Sequence, residues 1–400
     1  MSPFPEFESL RTWPKAARVE RLIQLLEALE AESGAEAVKR AIGYVAGFGS
    51  NWVWLIDKVA KSESCHERVR EACADYVEQA SSVRFEVGDR TGLNRTQIDQ
   101  LLASLEVSRR KVPNLSLHFH FSRRQVYPYG LCAIAAWATQ NARKIEFFYE
   151  TERTQEFLHA AGVIDALRDP EGDPVRFDRK NLIGFTRIQS GVVFPTDEHA
   201  GRLVGLFRQN LPGLSASSAK SLGIAFAELI ENVVKHAGIQ SDAWLFANYH
   251  PKPGIMHMAI CDRGRGIRQS FLESDSDAVR QIGEHPVDWI SKCTDPLVTS
   301  KTTGHAGYGL YVVRELCRRN TGSLLLLSGR ASYRIAFREQ AGGGLREEES
   351  VLQVAQPWNG TFLGLNVKLD QPLPLGEIYA SLPPPRGYAA EDTDIDLFTP

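Results

Sequence analysis

The stretch AELIENVVKHAG, residues 227–238, places a carboxylate, an amide and an ammonium group at helical spacing. Glu228, Asn232 and Lys235 follow one another at intervals of four and three residues, so a helix presents all three side chains on one face. On such a face, groups of different charge can converge on a single ligand. We therefore predict a helix here that binds a ligand as well as packing against the core.

Two glycine-containing motifs follow along the chain. CDRGRGI, residues 261–267, places Asp262 at the end of an apolar strand, with Gly264 and Gly266 directly behind it. TSKTTGHAGYGLYVVREL, residues 299–316, places glycines before a predicted helix, whose first backbone amides can hold phosphate oxygens. Together with the helix motif, these segments favour the binding of a nucleotide.

In this order and spacing, the motifs resemble those of the GHKL ATPases. This superfamily includes DNA gyrase, the heat-shock chaperone of ninety kilodaltons, MutL repair proteins, sensor histidine kinases and anti-sigma factor kinases. Residues 228–237 resemble its N-box, 262–267 its first glycine box, 299–310 its lid with the second glycine box, and 359–361 its closing Gly-Thr strand. The resemblance spans residues 196–370 and implies a Bergerat-type α/β sandwich with a mixed sheet under helices.

The resemblance also implies a role for each site residue, with ATP and Mg²⁺ as cofactors. Asp262 would accept a hydrogen bond from the adenine amino group, and Asn232 would ligate Mg²⁺ through its side-chain oxygen. Glu228 would be the catalytic general base, and Thr361 would lie near the catalytic end of the pocket. The other expected nucleotide contacts are Lys235, Gly264, Gly266, Thr299, Ser300, Lys301, Gly304, Gly307, Tyr308, Gly309 and Leu310.

The remaining chain divides by composition. Residues 1–110 show amphipathic helical periodicity, and residues 111–175 alternate strands with helices. We interpret residues 176–195 as a charged linker, 196–370 as the nucleotide-binding domain and 371–400 as a proline-rich acidic tail. The predicted fold is α+β: a helical module, a small α/β unit and a GHKL domain.

The small α/β unit resembles, more weakly, a STAS-like domain, the fold of anti-sigma antagonists. VYPYGLCAIAAWATQNARKIEFFYE, residues 126–150, follows a strand, turn, helix and strand order, and Tyr129 stands where that family has its phosphoacceptor serine. A generic α/β unit explains the pattern equally well. His118 and His120 share a strand face, but they have no third metal ligand nearby, so structural histidines are the better interpretation.

A His-Glu pair among the first 110 residues makes a sensor histidine kinase an alternative function. His66-Glu67 lies on a predicted helix and has the residue types of a phosphoacceptor motif, but the proline that commonly follows is missing. Sensor histidine kinases usually carry asparagine where this chain has Glu228, whereas hydrolytic members and anti-sigma kinases carry glutamate. We therefore favour a solvated helix face for His66.

The composition limits the classes of partner. The 400 residues are 43% apolar and 24% charged, which predicts a globular protein of two to four domains. The net charge of −3 does not indicate nucleic acid or an anionic membrane as partner. No apolar stretch reaches the roughly 18–20 residues that span a bilayer, and we recognise no secretion signal. Six cysteines without CxxC spacing fit reduced thiols, so we expect a cytoplasmic protein.

We expect a Mg²⁺-dependent ATP-binding protein of GHKL type. It would act as a regulatory ATPase or as a Ser/Thr protein kinase in a partner switch of the anti-sigma type, with a protein partner. A homodimer stays open, as does the choice between hydrolysis and phosphotransfer. The alternatives are a nucleotide-sensing interaction module without catalysis, and a sensor histidine kinase.

Overall fold

The computed structural model describes residues 3–85, 101–103, 105–106, 116–121, 128–141, 145–149, 151–168, 180–188, 196–237, 242–273, 285–296, 298, 308–369 and 375–382. The chain divides into two compact units. The first combines Met1–Val87, Gln100–Arg124 and Asn141–Gln155, and the second combines Gly88–Asp99, Gln125–Gln140 and Glu156–Pro400. The predicted α/β unit at 111–175 is therefore shared between them.

Amphipathic helices make up most of the first unit. In the second helix, Leu22, Ile23 and Leu26 are buried on one face. This helix ends at Gly34, whose φ of 80° lies in the left-handed region that glycine adopts freely. The helices are α1 (Pro5–Glu8), α2 (Arg18–Ser33), α3 (Ala35–Ala46), α4 (Ser50–Ala60) and α5 (Glu67–Ser81).

A parallel three-stranded sheet completes the first unit, in the order β1 (Ser82–Phe85), β2 (Leu117–Phe121) and β3 (Ile145–Tyr149). Strands β2 and β3 were expected from their alternating pattern. Strand β1 lies in the segment predicted to be helical, and that prediction was wrong for these four residues. Their hydrogen-bond partners lie on β2, far along the chain, and local periodicity cannot show such a partner.

The second unit is built on a five-stranded sheet in the order β4-β5-β6-β8-β7. Every described pairing in it is antiparallel, so the expectation of a mixed sheet was wrong. Strands β4 and β6 do run in the same direction, as do β6 and β7, but an opposed strand separates each pair. The strands are β4 (Leu182–Ile188), β5 (Ala243–His250), β6 (Ile255–Asp262), β7 (Ser323–Glu339) and β8 (Leu345–Lys368).

Helices pack on the sheet, and the main apolar core lies between these helices and the sheet. One apolar cluster joins the helices Thr196–Asn210, Ala216–Ala237 and Gly309–Arg319 to the sheet, and the rings of Phe207 and Phe226 meet within it with centroids 5.5 Å apart. The helices of the chain from α6 onward are α6 (Pro128–Asn141), α7 (Glu152–Ala160), α8 (Val163–Arg168), α9 (Thr196–Asn210), α10 (Ala216–Ala237), α11 (Gly266–Leu272), α12 (Pro286–Lys292), α13 (Gly309–Arg319) and α14 (Leu375–Ala380).

Helix α6 contacts the opposite face of the same sheet. Along β6, Met256, Met258 and Ile260 belong to the cluster under α10, so the residues between them point to the other face. There, the Cys132 thiol of α6 donates to the carbonyl oxygen of Ala259 at 3.7 Å. Residues 131–138 of α6 are all buried, which explains why this segment is apolar all round.

Two predicted borders differ from the structure. Strand β4 lies inside residues 176–195, the predicted linker, and supplies the edge of the sheet. The charged segment before it made the strand pattern of residues 182–188 easy to overlook, since the apolar part of that pattern is confined to LIGF and Ile188. Helix α14 lies inside the predicted tail, and its Ile378 is fully buried in the apolar cluster. Both segments therefore belong to the folded second unit.

No helix in the described ranges has both the length and the apolar character needed to cross a bilayer. All six cysteines are described, and each is a buried free thiol, as their irregular spacing predicted.

Candidate functional site

Asp262 ends β6 with a side chain that is 1% exposed. Its Oδ1 accepts a hydrogen bond from the Gly264 backbone N–H at 2.7 Å, and its Oδ2 accepts one from the Thr361 N–H at 3.1 Å. Burial raises the pKa of Asp262 to about 7, although both backbone hydrogen bonds oppose this shift. The carboxyl group is therefore fixed in orientation and changes its charge near neutral pH.

Two glycines allow close packing at this site: Gly360 against the Asp262 carboxylate, and Gly266 against Ser328. Gly360 has a φ of 102°, and a Cβ there would lie 2.6 Å from Asp262 Oδ1. Gly266 has a φ of 77°, and a Cβ there would lie 2.6 Å from Ser328 Oγ. At both positions, the positive φ and the lack of space for a Cβ exclude any residue other than glycine. The predicted glycine box and Gly-Thr strand thus meet at Asp262.

Thr361 was expected near the catalytic end of the pocket. In the structure, its backbone N–H donates a hydrogen bond to the Asp262 carboxylate. The neighbouring Trp358 was not predicted as a site residue. Its indole N–H donates to the Asp262 carbonyl oxygen at 3.0 Å, and the Arg263 guanidinium lies 4.8 Å from its ring centroid. No sequence motif marks Trp358, because it lies almost one hundred residues from Asp262.

Ser328 is a second residue that the sequence motifs missed. Its hydroxyl accepts a hydrogen bond from the Ile267 N–H at 2.8 Å and donates one to the Gly360 carbonyl oxygen at 2.9 Å. Its sequence signal is weak: one polar residue ends the apolar run LLLL of β7.

Glu228 lies on α10 beside the start of α13. A Cβ added to Gly309, the first residue of α13, would lie 2.8 Å from Glu228 Oε2. Tyr308 precedes this helix and is buried, and first its burial and then the Glu228 charge raise the pKa of its hydroxyl. Leu310 packs against the apolar cluster. The structure therefore brings a predicted carboxylate to the N-terminus of the predicted phosphate-binding helix.

Glu228 also lines a cavity of about 460 Å³. This cavity lies between α9 and α10 and has cationic and anionic side chains on its walls. Its lining consists of Ala200, Gly201, Val204, Arg208, Ala216, Ala219, Lys220, Gly223, Ile224, Ala227, Glu228 and Glu231. Glu228 thus faces open space as well as the start of α13.

The structure describes less of the surroundings of the other predicted site residues. Asn232 is half-buried on α10, one helical turn after Glu228. Lys235 belongs to the same helix, but its side chain is outside the described part of the structure. Five further predicted contacts lie outside the described residues: Thr299, Ser300, Lys301, Gly304 and Gly307.

The histidines considered as metal ligands have other partners. His118 Nε2 lies 3.4 Å from Glu146 Oε2, and the His120 ring stacks on Phe148 with centroids 4.9 Å apart. Across the described residues, no group of three or more His, Cys, Asp or Glu side chains is arranged to hold a metal ion.

His66 precedes α5 instead of lying on it. Its Nδ1 is 3.1 Å from Glu30 Oε2, and its backbone N–H donates to Glu27 Oε1 at 2.7 Å. It therefore joins the start of α5 to α2, which is a structural role.

Tyr129, the residue at the supposed STAS phosphoacceptor position, is buried against the sheet. Its hydroxyl lies 2.6 Å from His257 Nδ1 and donates to Asn366 Oδ1. Burial lowers the pKa of His257 to about 3, so this imidazole is neutral within the network. A STAS-like unit stays a prediction.

Residues 217–348 match the family model of histidine kinase-, DNA gyrase B-, and HSP90-like ATPase. The match runs from α10 into β8 and includes Glu228, Asn232, Asp262 and Gly309. Comparison with curated proteins found no match, and comparison with solved structures found none either. The chain therefore carries a GHKL-type ATPase domain, a type of domain that binds ATP, generally with Mg²⁺.

Proposed function

We propose that this GHKL-type domain binds Mg²⁺-ATP, with Asp262 as the acceptor for the adenine amino group. The geometry of Asp262 carries the proposal. Each carboxylate oxygen accepts one backbone N–H, from Gly264 or Thr361, and keeps lone-pair capacity for a ligand donor. Gly266 and Gly360 leave the surrounding backbone free of side chains. A nucleobase amino group suits this buried, oriented acceptor.

The triphosphate would lie at the start of α13. This helix has eleven residues, and its first backbone amides carry the positive end of the helix dipole. The amides near Gly307, Tyr308, Gly309 and Leu310 would contact phosphate oxygens. Four polar side chains from α10 and the lid would add charge and hydroxyl contacts: Lys235, Thr299, Ser300 and Lys301.

Asn232 fits the expected metal ion. Its amide oxygen is a hard donor, and it lies one helical turn from Glu228. Magnesium held there would neutralise phosphate charge. A site with one or two protein oxygens, phosphate and water is ordinary for Mg²⁺.

Glu228 would be the general base. It would take the proton from an attacking water or hydroxyl while the new oxygen–phosphorus bond forms and the bond to the leaving ADP oxygen breaks. The open cavity beside it gives a nucleophile a route of approach. A regulatory ATPase and a Ser/Thr protein kinase of the anti-sigma type both use this chemistry. The place of His66 at the start of α5, paired with Glu30, supports neither a mid-helix acceptor nor a sensor histidine kinase.

Product analysis with Mg²⁺-ATP tests this function. Glu228→Gln is expected to lower turnover by about 10²–10⁴-fold, the usual contribution of a general base, while ATP still binds. The matched control is Glu231→Gln, because Glu231 lines the same cavity three residues further along α10. We expect it to turn over ATP like the parent protein.

The reaction products distinguish an ATPase from a protein kinase and from a nucleotide-sensing module. ADP with free phosphate identifies an ATPase, and label on a protein hydroxyl identifies a kinase. Tight binding without ADP identifies a nucleotide-sensing module and refutes the catalytic part. Equal turnover in Glu228→Gln and the parent protein refutes the assignment of the base.

A further inference from the structure

Ser328 connects two backbone segments that are far apart in sequence. As acceptor, its hydroxyl receives the N–H of Ile267, in the first turn of α11. As donor, it binds the carbonyl oxygen of Gly360 on β8. The side chain is buried, 8% exposed, so water does not replace these bonds easily.

Both connected segments donate a backbone hydrogen bond to the Asp262 carboxylate. Gly264 lies three residues before Ile267 and donates to Asp262 Oδ1, while Thr361 directly follows Gly360 and donates to Asp262 Oδ2. The backbone from Gly264 to Ile267, the Ser328 hydroxyl and the step to Thr361 therefore close a ring around the carboxylate.

We propose that Ser328 is a positioning residue for base recognition: its hydroxyl clamps the first glycine box to the Gly-Thr strand and so sets the direction of the Asp262 carboxylate. This inference rests on the proposed adenine site. It adds a residue outside the sequence motifs that would determine how well that site distinguishes a purine amino group from a purine carbonyl.

The hydroxyl group suits this place in both chemistry and size. Only a group that donates and accepts at once can satisfy an N–H and a carbonyl from opposite sides. Space is also restricted, because a Cβ on Gly266 would already lie 2.6 Å from Ser328 Oγ. Alanine removes both bonds and leaves two buried backbone groups without their partner, whereas threonine keeps the hydroxyl.

The same strand offers a matched control. Ser332 is also buried on β7, and its Oγ has no hydrogen-bond partner among the described residues. Ser332→Ala therefore removes a buried serine hydroxyl without breaking a bond to the nucleotide site. A general effect of serine loss on this strand would appear in both variants.

The experiment compares ATP with inosine triphosphate, ITP, whose base carries a carbonyl in place of the amino group. Affinities are measured at pH 8 with Mg²⁺ for the parent protein, Ser328→Ala, Ser328→Thr and Ser332→Ala. We expect Ser328→Ala to weaken ATP binding about tenfold, because a misdirected carboxylate loses roughly one hydrogen bond to the base. ITP binding should not weaken. Ser328→Thr should restore ATP affinity, and Ser332→Ala should bind both nucleotides like the parent protein.

Hydrogen exchange adds a readout that needs no nucleotide. In Ser328→Ala, the Ile267 and Thr361 amides should exchange faster than in Ser332→Ala, because the clamp between their segments is gone. Unchanged exchange, unchanged ATP affinity, or equal losses for ATP and ITP would each overturn the role of Ser328. ATP binding by the domain would still stand after such a failure. A parent protein that binds neither nucleotide would instead refute the adenine site, and with it this role.

Discussion

The affinity for ATP should fall as the pH drops below about 7, because protonation of Asp262 removes the negative charge that makes its oxygens strong acceptors for the adenine amino group. Burial raises the pKa of this carboxyl group to about 7 in the free protein. An added N–H donor favours the ionised form, so bound ATP lowers the pKa, and protonation opposes binding. At pH 5.5 only about one molecule in thirty is ionised, so binding should weaken by up to about 30-fold relative to pH 8, or about 2 kcal/mol at most.

Titration calorimetry with saturating Mg²⁺ at pH 8, 7, 6 and 5.5 measures this effect. Asp262→Asn is the control, because the amide does not titrate and any protonation of the nucleotide itself affects both proteins equally. ITP should show the opposite trend in the parent protein, since a protonated carboxyl can donate to its carbonyl group. A flat ATP profile, or the same pH slope in the parent protein and in Asp262→Asn, would show that Asp262 is not the titrating acceptor.

Two glycine substitutions test the close approaches at the site. Gly360→Ala should destabilise the protein by about 2–4 kcal/mol in urea unfolding, because its Cβ would overlap the Asp262 backbone and its φ is positive. Gly343→Ala has a similar φ but nothing within 4 Å, so a loss of only about 1 kcal/mol is expected; equal losses would contradict the packing argument. Gly309→Ala should slow ATP turnover about tenfold and destabilise the protein by about 1–3 kcal/mol, because its Cβ would lie 2.8 Å from Glu228 Oε2 and 2.9 Å from the Glu228 Cβ, which cannot rotate away. Gly205→Ala, a helical glycine with free space around it, is the control, and equal turnover in the two variants would exclude that effect of the close contact.

Local sequence patterns predicted the parts of the site that depend on single elements. The spacing of Glu228 and Asn232 indicated one helix, and both residues lie on α10. The apolar run before Asp262 indicated a strand, and β6 ends at this residue. Hydrophobic periodicity and glycine caps are local properties, so they can be read without knowing the rest of the fold.

Local patterns could not predict the contacts that complete the site. Ser328 and Thr361 reach Asp262 and its glycine box from strands 61 to 99 residues away. Their approach depends on β8 inserting between β6 and β7, and no segment of the sequence carries that strand order by itself. The same insertion explains why the sheet is antiparallel instead of mixed.

Helix α6 has a consequence for the design of shorter fragments. Its buried residues 131–138 cover the sheet face opposite α10. A fragment limited to the family match, residues 217–348, would expose that face to water and would lack edge strand β4 and most of β8, including Thr361. A fragment that keeps helices on both faces of the sheet therefore has to begin at or before residue 128.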